Sequence, residues 1–278
     1  MTSEETSSDA AGGKGGRVRT SERAGAYAVP ALSKAAEILE LLASEPAGLS
    51  ATDIAARLGR SMGEIYRLVV ALERLDFLTK DALLDRYALS LKLFELAHRH
   101  PPTKRLIRAA IPILERLAVE AEQSCHLGVL HGDQLVILAQ ADSPQPMRYS
   151  VKIGATFPAL ETSSGIVILA HSDERVQEQF LSSLLPEARG PMAERFARAL
   201  EVGHERHASA VVTGVTNLSR PVFDHAGTPL AAITIPHLRQ VPVHTEIERA
   251  LEMVIAAADA LSAGLGWTGA AEPNPHTL

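Results

Sequence analysis

The stretch LSATDIAARLGRSMGEIYRLVVALERL, residues 49–75, decides the fold. Ser50 precedes an apolar-periodic run, and Asp53 stands three residues on, the spacing of a reciprocal cap at a helix N-terminus. Ile54, Ala55 and Leu58 fall on one face of that helix. Gly59 then supplies the left-handed conformation that ends a helix without a Cβ penalty. Ser61 and Glu64 repeat the cap spacing, and Ile65, Leu68, Val69, Leu72 and Leu75 recur at intervals of three and four. Two short helices across a tight glycine turn make a helix-turn-helix.

Outward from this core, residues 31–43 place Leu32, Ala35, Ala36, Leu39 and Leu42 at helical spacing, which predicts a first helix with one buried face. On the other side, Phe77–Lys80 and Arg86–Leu89 read as two short strands around a turn, a wing. Residues 27–90 are therefore expected to form a winged helix-turn-helix DNA-binding domain. A linker helix is expected over 91–102, closed by Pro101-Pro102, since neither proline suits a helix interior. Residues 1–26 and 266–278 are poor in large apolar side chains and are read as disordered tails.

Residues 103–265 form the second domain. A hairpin is expected from 125–131 and 134–140 around Gly132-Asp133, with further strands over 208–212, 217–223 and 228–235. Long helices are expected over 103–122 and 243–263. The fold class is α+β, an antiparallel sheet with helices packed on it.

Charge bears on the partner. The chain carries a net −6, and residues 28–90 hold seven Lys and Arg against nine Asp and Glu. Nucleic-acid binding, however, needs positive charge on one face and not in the total. The segment 11–27 adds Lys14, Arg17, Arg19 and Arg23 against Glu22. On the third helix, the face opposite the core holds Met62, Gly63, Tyr66, Arg67 and Val70. Arg67 is the best candidate for a base, because its planar fork matches guanine or phosphate. Tyr66 suits phosphate or a thymine methyl, and Ser61 stands at the helix entrance as phosphate ligand or N-cap. Arg57, Arg60, Lys80 and Arg86 are candidates for the phosphate backbone, where contacts position the protein without reading sequence; each reads equally well as a solvated surface charge.

No apolar run approaches bilayer length, and no signal-peptide pattern opens the chain, so a cytoplasmic protein with no membrane partner is expected. Cys125 is the lone cysteine and reads as a small buried residue. His126, His131, His204, His207, His225 and His237 follow no metal-ligand spacing, so no metal site is expected. No nucleophile elbow or phosphate loop occurs, and neither catalytic residues nor a cofactor is expected.

The chain resembles the IclR family of bacterial transcription regulators. The resemblance is carried by Ala35–Leu42, Leu49–Ala55, Tyr66-Arg67-Leu68, Leu72–Leu75 and Tyr87–Ser90. In the second half it is carried by Phe157–Gly165, Gly214-Val215, Arg220–Asp224, Gly227 and Ala231–Ile233, so that it spans roughly 29–262. It departs from the family at Ser61-Met62-Gly63-Glu64-Ile65, and at Leu160 and Ile166, where a His and a Lys are common. The resemblance implies a GAF-like sensor domain and assembly as a dimer or dimer of dimers. Exposed parts of Leu91–His98 and Leu106–Leu117 are candidates for the contact between subunits.

An effector site can also be argued physically around Thr162–Gly165, where small residues open a helix whose free N–H groups favour an anion. The resemblance places Ser163, Ser164, His207, Asn217, Thr234 and Pro236 at effector-contacting positions. Met147, Leu127 and Val129 are candidate lining residues, with sheet core the stronger reading for them. The expected function is a ligand-responsive regulator, a repressor, sensing an organic acid or aromatic compound. The alternative is an enzyme or ligand-binding scaffold whose helical region serves dimerisation.

Overall fold

The computed structural model describes residues 29–99, 101–241 and 245–269. The basic segment 11–27 and the tails 1–26 and 270–278 lie outside the described residues. Two compact units divide between Leu96 and Ala97.

The first unit runs α1 (Pro30–Ala43), α2 (Ala51–Leu58), α3 (Met62–Arg74), β1 (Leu78–Asp81) and β2 (Arg86–Leu89). The cap at α2 forms as the spacing predicts. Ser50 Oγ accepts from the Asp53 amide at 3.1 Å, and the Asp53 carboxylate accepts from the Ser50 hydroxyl at 2.8 Å and from its amide at 3.4 Å. Gly59 takes the left-handed conformation, φ 62°. Ile38, Leu42, Ile54, Ile65, Val69, Leu78 and Tyr87 close the core. Just before α2, Leu49 and Tyr87 exchange backbone hydrogen bonds of 3.0 and 2.8 Å. This brings the Tyr87 carbonyl so close to Gly48 that a Cβ there would lie 2.6 Å from its oxygen.

Three expectations for this unit are corrected. Leu32 is 69% exposed, because burial in α1 falls on its second half, at Ile38 and Leu42. Leu75 is 60% exposed and caps α3, since the helix stops at Arg74 before the periodicity does. Ser61 makes no side-chain cap, and Glu64 pairs instead with Lys34 of α1. That pairing holds the Glu64 carboxyl below its ordinary range.

The chain continues through α4 (Lys92–Arg99) and α5 (Pro101–Ala121), with Pro101 and Pro102 at the start of a helix. Proline is tolerated there, because first-turn amides have no intrahelical acceptor anyway. Six antiparallel strands follow: β3 (Cys125–His131), β4 (Gln134–Ala141), β5 (Thr156–Pro158), β6 (Glu205–Ala208), β7 (Val215–Phe223) and β8 (Pro229–Leu238). Their order in the sheet is β5-β4-β3-β8-β7-β6. The strand expected over 208–212 is corrected to β6, with only Ala208 in common. Ser209 there turns the chain, its hydroxyl accepting from the amides of Val211 and Val212.

One face of the sheet packs on α5 and α9 (Ile247–Gly264) through Leu114, Leu127, Leu218, Ile233 and Val254. The other carries α6 (Ser163–Ala170), every residue of which is buried. The sheet side of α6 meets Leu135, Ile137 and Ala232 through Val167 and Ile168. Its far side packs on α8 (Pro186–Val202) at Phe196, next to α7 (Glu174–Ser182). The α+β class and the antiparallel sensor sheet thus stand as expected. Trp267, read in the sequence as part of a tail, packs on Phe223 with ring centroids 4.8 Å apart. No helix among the described residues is long and apolar enough to cross a membrane.

Candidate effector cavity and DNA-binding face

A cleft with about 460 Å³ of empty space, part of it continuous with solvent, opens where the N-terminus of α6 meets the middle of the sheet. Thr162 caps α6, its hydroxyl accepting from the Gly165 amide at 3.0 Å. Glycine is required at 165, because a Cβ would collide with the backbone carbonyl of Ala159 in the 3-10 turn just before the helix. That close approach fixes where the first turn of α6 points.

Five of the seven expected effector residues line this cavity: Ser163, Ser164, Asn217, Thr234 and Pro236. Ser163 is 2% exposed, and its hydroxyl has no hydrogen-bond partner. Buried hydroxyls are nearly always satisfied, so this one calls for a partner that the described residues do not supply. Ser164 is engaged: its Oγ lies 2.7 Å from Thr234 Oγ1, which lies 2.7 Å from Ser219 Oγ.

The other two do not line the cavity. His207 sits on edge strand β6 directly opposite Asn217, on the same sheet face but one strand too far out. Met147 is 74% exposed, and its backbone carbonyl accepts from Gln240 Nε2 at 2.7 Å. Leu127 is core, and Val129 packs against the same core.

The sequence reading missed His126 and Glu161 as lining residues, and with them the walls Tyr149, Val151 and Phe157. His126 was legible. Cys125 and Leu127 flank it and face the α5/α9 core, so strand alternation turns His126 to the cavity side. Burial pushes its imidazole down to about 4, leaving it neutral at physiological pH. Burial likewise raises the Cys125 thiol to about 12, which keeps it an unreactive core group. Among the described residues no three of His, Cys, Asp and Glu gather as a metal site.

In the first unit, Ser61, Met62, Gly63, Tyr66 and Arg67 are all exposed at the start and along one face of α3. Among the described residues Arg67 bonds only back onto its own helix, Nε to the Gly63 carbonyl at 3.2 Å. Arg74 extends the same face two turns beyond Arg67 and was not anticipated. The four cations expected at the phosphate backbone are each engaged internally. Arg57 pairs with Glu45, Arg60 with both oxygens of Glu37 at 3.0 and 3.1 Å, and Lys80 with Asp85 at 2.7 Å. Arg86 donates to the Gly48 carbonyl at 3.1 Å. At the wing tip, Asp81 accepts from the amides of Leu83 and Leu84, leaving both leucines exposed.

Comparison with known proteins agrees with this geometry. Residues 102–263 match the family described as bacterial transcriptional regulator IclR C-terminal, and residues 31–82 match the IclR helix-turn-helix domain. The chain is 27% identical over 252 residues to the transcriptional regulator KdgR of Escherichia coli, covering 86% of this chain and 94% of that one. It is 28% identical over 218 residues to the glycerol operon regulatory protein of Streptomyces coelicolor, covering 74% and 84%. Its fold matches that of an IclR homologue from Microbacterium hydrocarbonoxydans solved with 4-hydroxybenzoate, at a TM-score of 0.72 and 22% identity over 84% of this chain and 98% of that one.

Proposed function

The chain belongs to the IclR family of bacterial transcriptional regulators, and on that premise we propose that it is a repressor whose operator affinity is set by a small molecule held at the N-terminus of α6. It is a DNA-binding regulator with an effector-binding C-terminal domain, and not an enzyme. The observation that carries the proposal is the buried, unpartnered Ser163 hydroxyl in a cavity that joins apolar walls to a few polar side chains. A few polar groups in an apolar pocket are the usual make-up of a small-molecule site. Leu135, Ile137, Val151 and Phe157 suit an aromatic or aliphatic body, whereas Ser163, Ser164 and Asn217 suit a polar group such as that of an organic acid or a phenol.

On the DNA side, α3 enters the major groove with Ser61, Met62, Gly63 and Tyr66 near the bases and Arg67 as the principal reader. Arg57, Arg60, Lys80 and Arg86 serve the backbone only if they exchange their internal partners for phosphate. The protein works in the cytoplasm as a dimer or dimer of dimers, because a two-fold regulator reads paired half-sites. The exposed Leu91, Leu93 and Leu96 on and beside α4 support self-association.

Binding of the purified protein to its own upstream DNA, at two salt concentrations and beside unrelated DNA, tests this reading. Selective, salt-sensitive binding is expected. Equal affinity for both DNAs, unchanged by any ligand that raises the melting temperature, would overturn it.

A further inference from the structure

The charge distribution in the cavity narrows the ligand class, and the argument rests on the effector reading above. Among the described residues, Glu161 is the only one lining the cavity that carries a formal charge at neutral pH, and no Lys or Arg lines it. His126, the other titratable lining group of consequence, stays neutral through burial. Glu161 immediately precedes the N-cap of α6, so its carboxylate stands at the end of the helix that would otherwise attract an anion. The helix end supplies only about half a positive charge. Glu161 supplies a full negative one, and among the described residues no cation pairs with it. A ligand carboxylate seated at Ser163 would lose its water and meet repulsion, with no compensating ion pair.

A neutral ligand meets the opposite situation. The Ser163 hydroxyl and the first amides of α6 donate to its acceptor, and the Glu161 carboxylate accepts from its O–H or N–H in a charge-assisted bond. Phe157, Tyr149 and Ile137 cover its apolar part. We infer that the cavity selects an uncharged aromatic molecule bearing a hydroxyl or amide, and that Glu161 discriminates against the corresponding carboxylate. Because Glu161 is exposed to solvent, screening keeps this discrimination moderate.

The test compares two probes of nearly identical shape, 4-hydroxybenzamide and 4-hydroxybenzoate, by calorimetry on the full-length protein at neutral pH. In the unmodified protein the amide is expected to bind about tenfold tighter than the carboxylate. In Glu161→Gln the two are expected to fall within about twofold of each other, through a gain by the carboxylate. A carboxylate that binds as well as the amide, a ratio unmoved by Glu161→Gln, or no binding of either probe at millimolar concentration would each overturn the inference. Ser163→Leu separates this from failure of the effector reading itself. If it abolishes binding while the unmodified protein prefers the carboxylate, only the charge inference falls. If it leaves both affinities unchanged, the cavity is not the ligand site and both fall.

Discussion

The two units treat their polar side chains in opposite ways. In the DNA-binding unit, Lys34, Arg57, Arg60 and Lys80 are tied to Glu64, Glu45, Glu37 and Asp85, so most of the positive charge is cancelled within the protein. What remains outward on α3 is Arg67 with Arg74. In the sensor unit a hydroxyl is buried and left unpaired, in a cavity that no cation lines among the described residues. A slightly acidic head can therefore still present Arg67 and Arg74 on one face of α3, while four of its acids are taken up by its other cations. A buried pocket, by contrast, advertises its ligand through what it fails to satisfy.

The comparison is broken most severely at Gly165. Replacing it with alanine drives a Cβ into the Ala159 carbonyl and should cost the sensor unit about 4 kcal/mol, leaving the DNA-binding unit folded. Denaturant titration should show one transition moving and the other fixed; two unmoved transitions would mean that α6 can slide.

Next in size is the protonation of His126. Unfolded, the imidazole binds a proton below its ordinary 6.5; folded, only below about 4. Between those values the unfolded state holds the extra proton, so stability falls as pH drops through that window, by about 3 kcal/mol in all. His171, also lowered by burial, acts in the same direction. The denaturation midpoint should decline from pH 6.5 to 4, and His126→Gln should flatten most of the slope.

Arg67→Ala should weaken operator binding by about 1–3 kcal/mol and relax sequence selectivity, with the melting temperature unchanged. An equal loss on operator and unrelated DNA would reassign Arg67 to phosphate. The smallest effect is expected at Arg60. Its pair with Glu37 is partly exposed, so Arg60→Ala should change stability by about 0.2–1 kcal/mol and leave the salt dependence of DNA binding unaltered. A salt slope reduced by about one would show that Arg60 leaves Glu37 for the DNA backbone.

What the sequence revealed follows the same division. The cap of α2, the glycine turn and the spacing of α3 are local signals, and local geometry realised them. The ion pairs of the DNA-binding unit join residues up to 30 positions apart and have no periodic signature. In the sensor, SSGIVILA is apolar beyond the two serines of its first turn and gives α6 no polar face from which to orient it. The cavity wall holds a subtler obstacle. Leu135, Ile137, Ala139 and Ala141 are buried in unbroken alternation, as though on one face. A register shift opposite Leu127/Gly128 nevertheless leaves Leu138 unpaired. Leu135 and Ile137 therefore face α6, whereas Ala139 and Ala141 face α5 and α9.

The row of hydroxyls at Ser164, Thr234 and Ser219 has one more property. Each oxygen owns a single proton, and both 2.7 Å contacts accept either direction of donation. The row thus has two polarities, interconverted by turning three C–O bonds in concert. In one, Ser164 gives its proton to Thr234 and shows the cavity a lone pair. In the other, Ser219 donates to Thr234, Thr234 to Ser164, and Ser164 has a proton to offer. The floor of the cavity is a reversible dipole, able to greet a donor or an acceptor without a change of sequence.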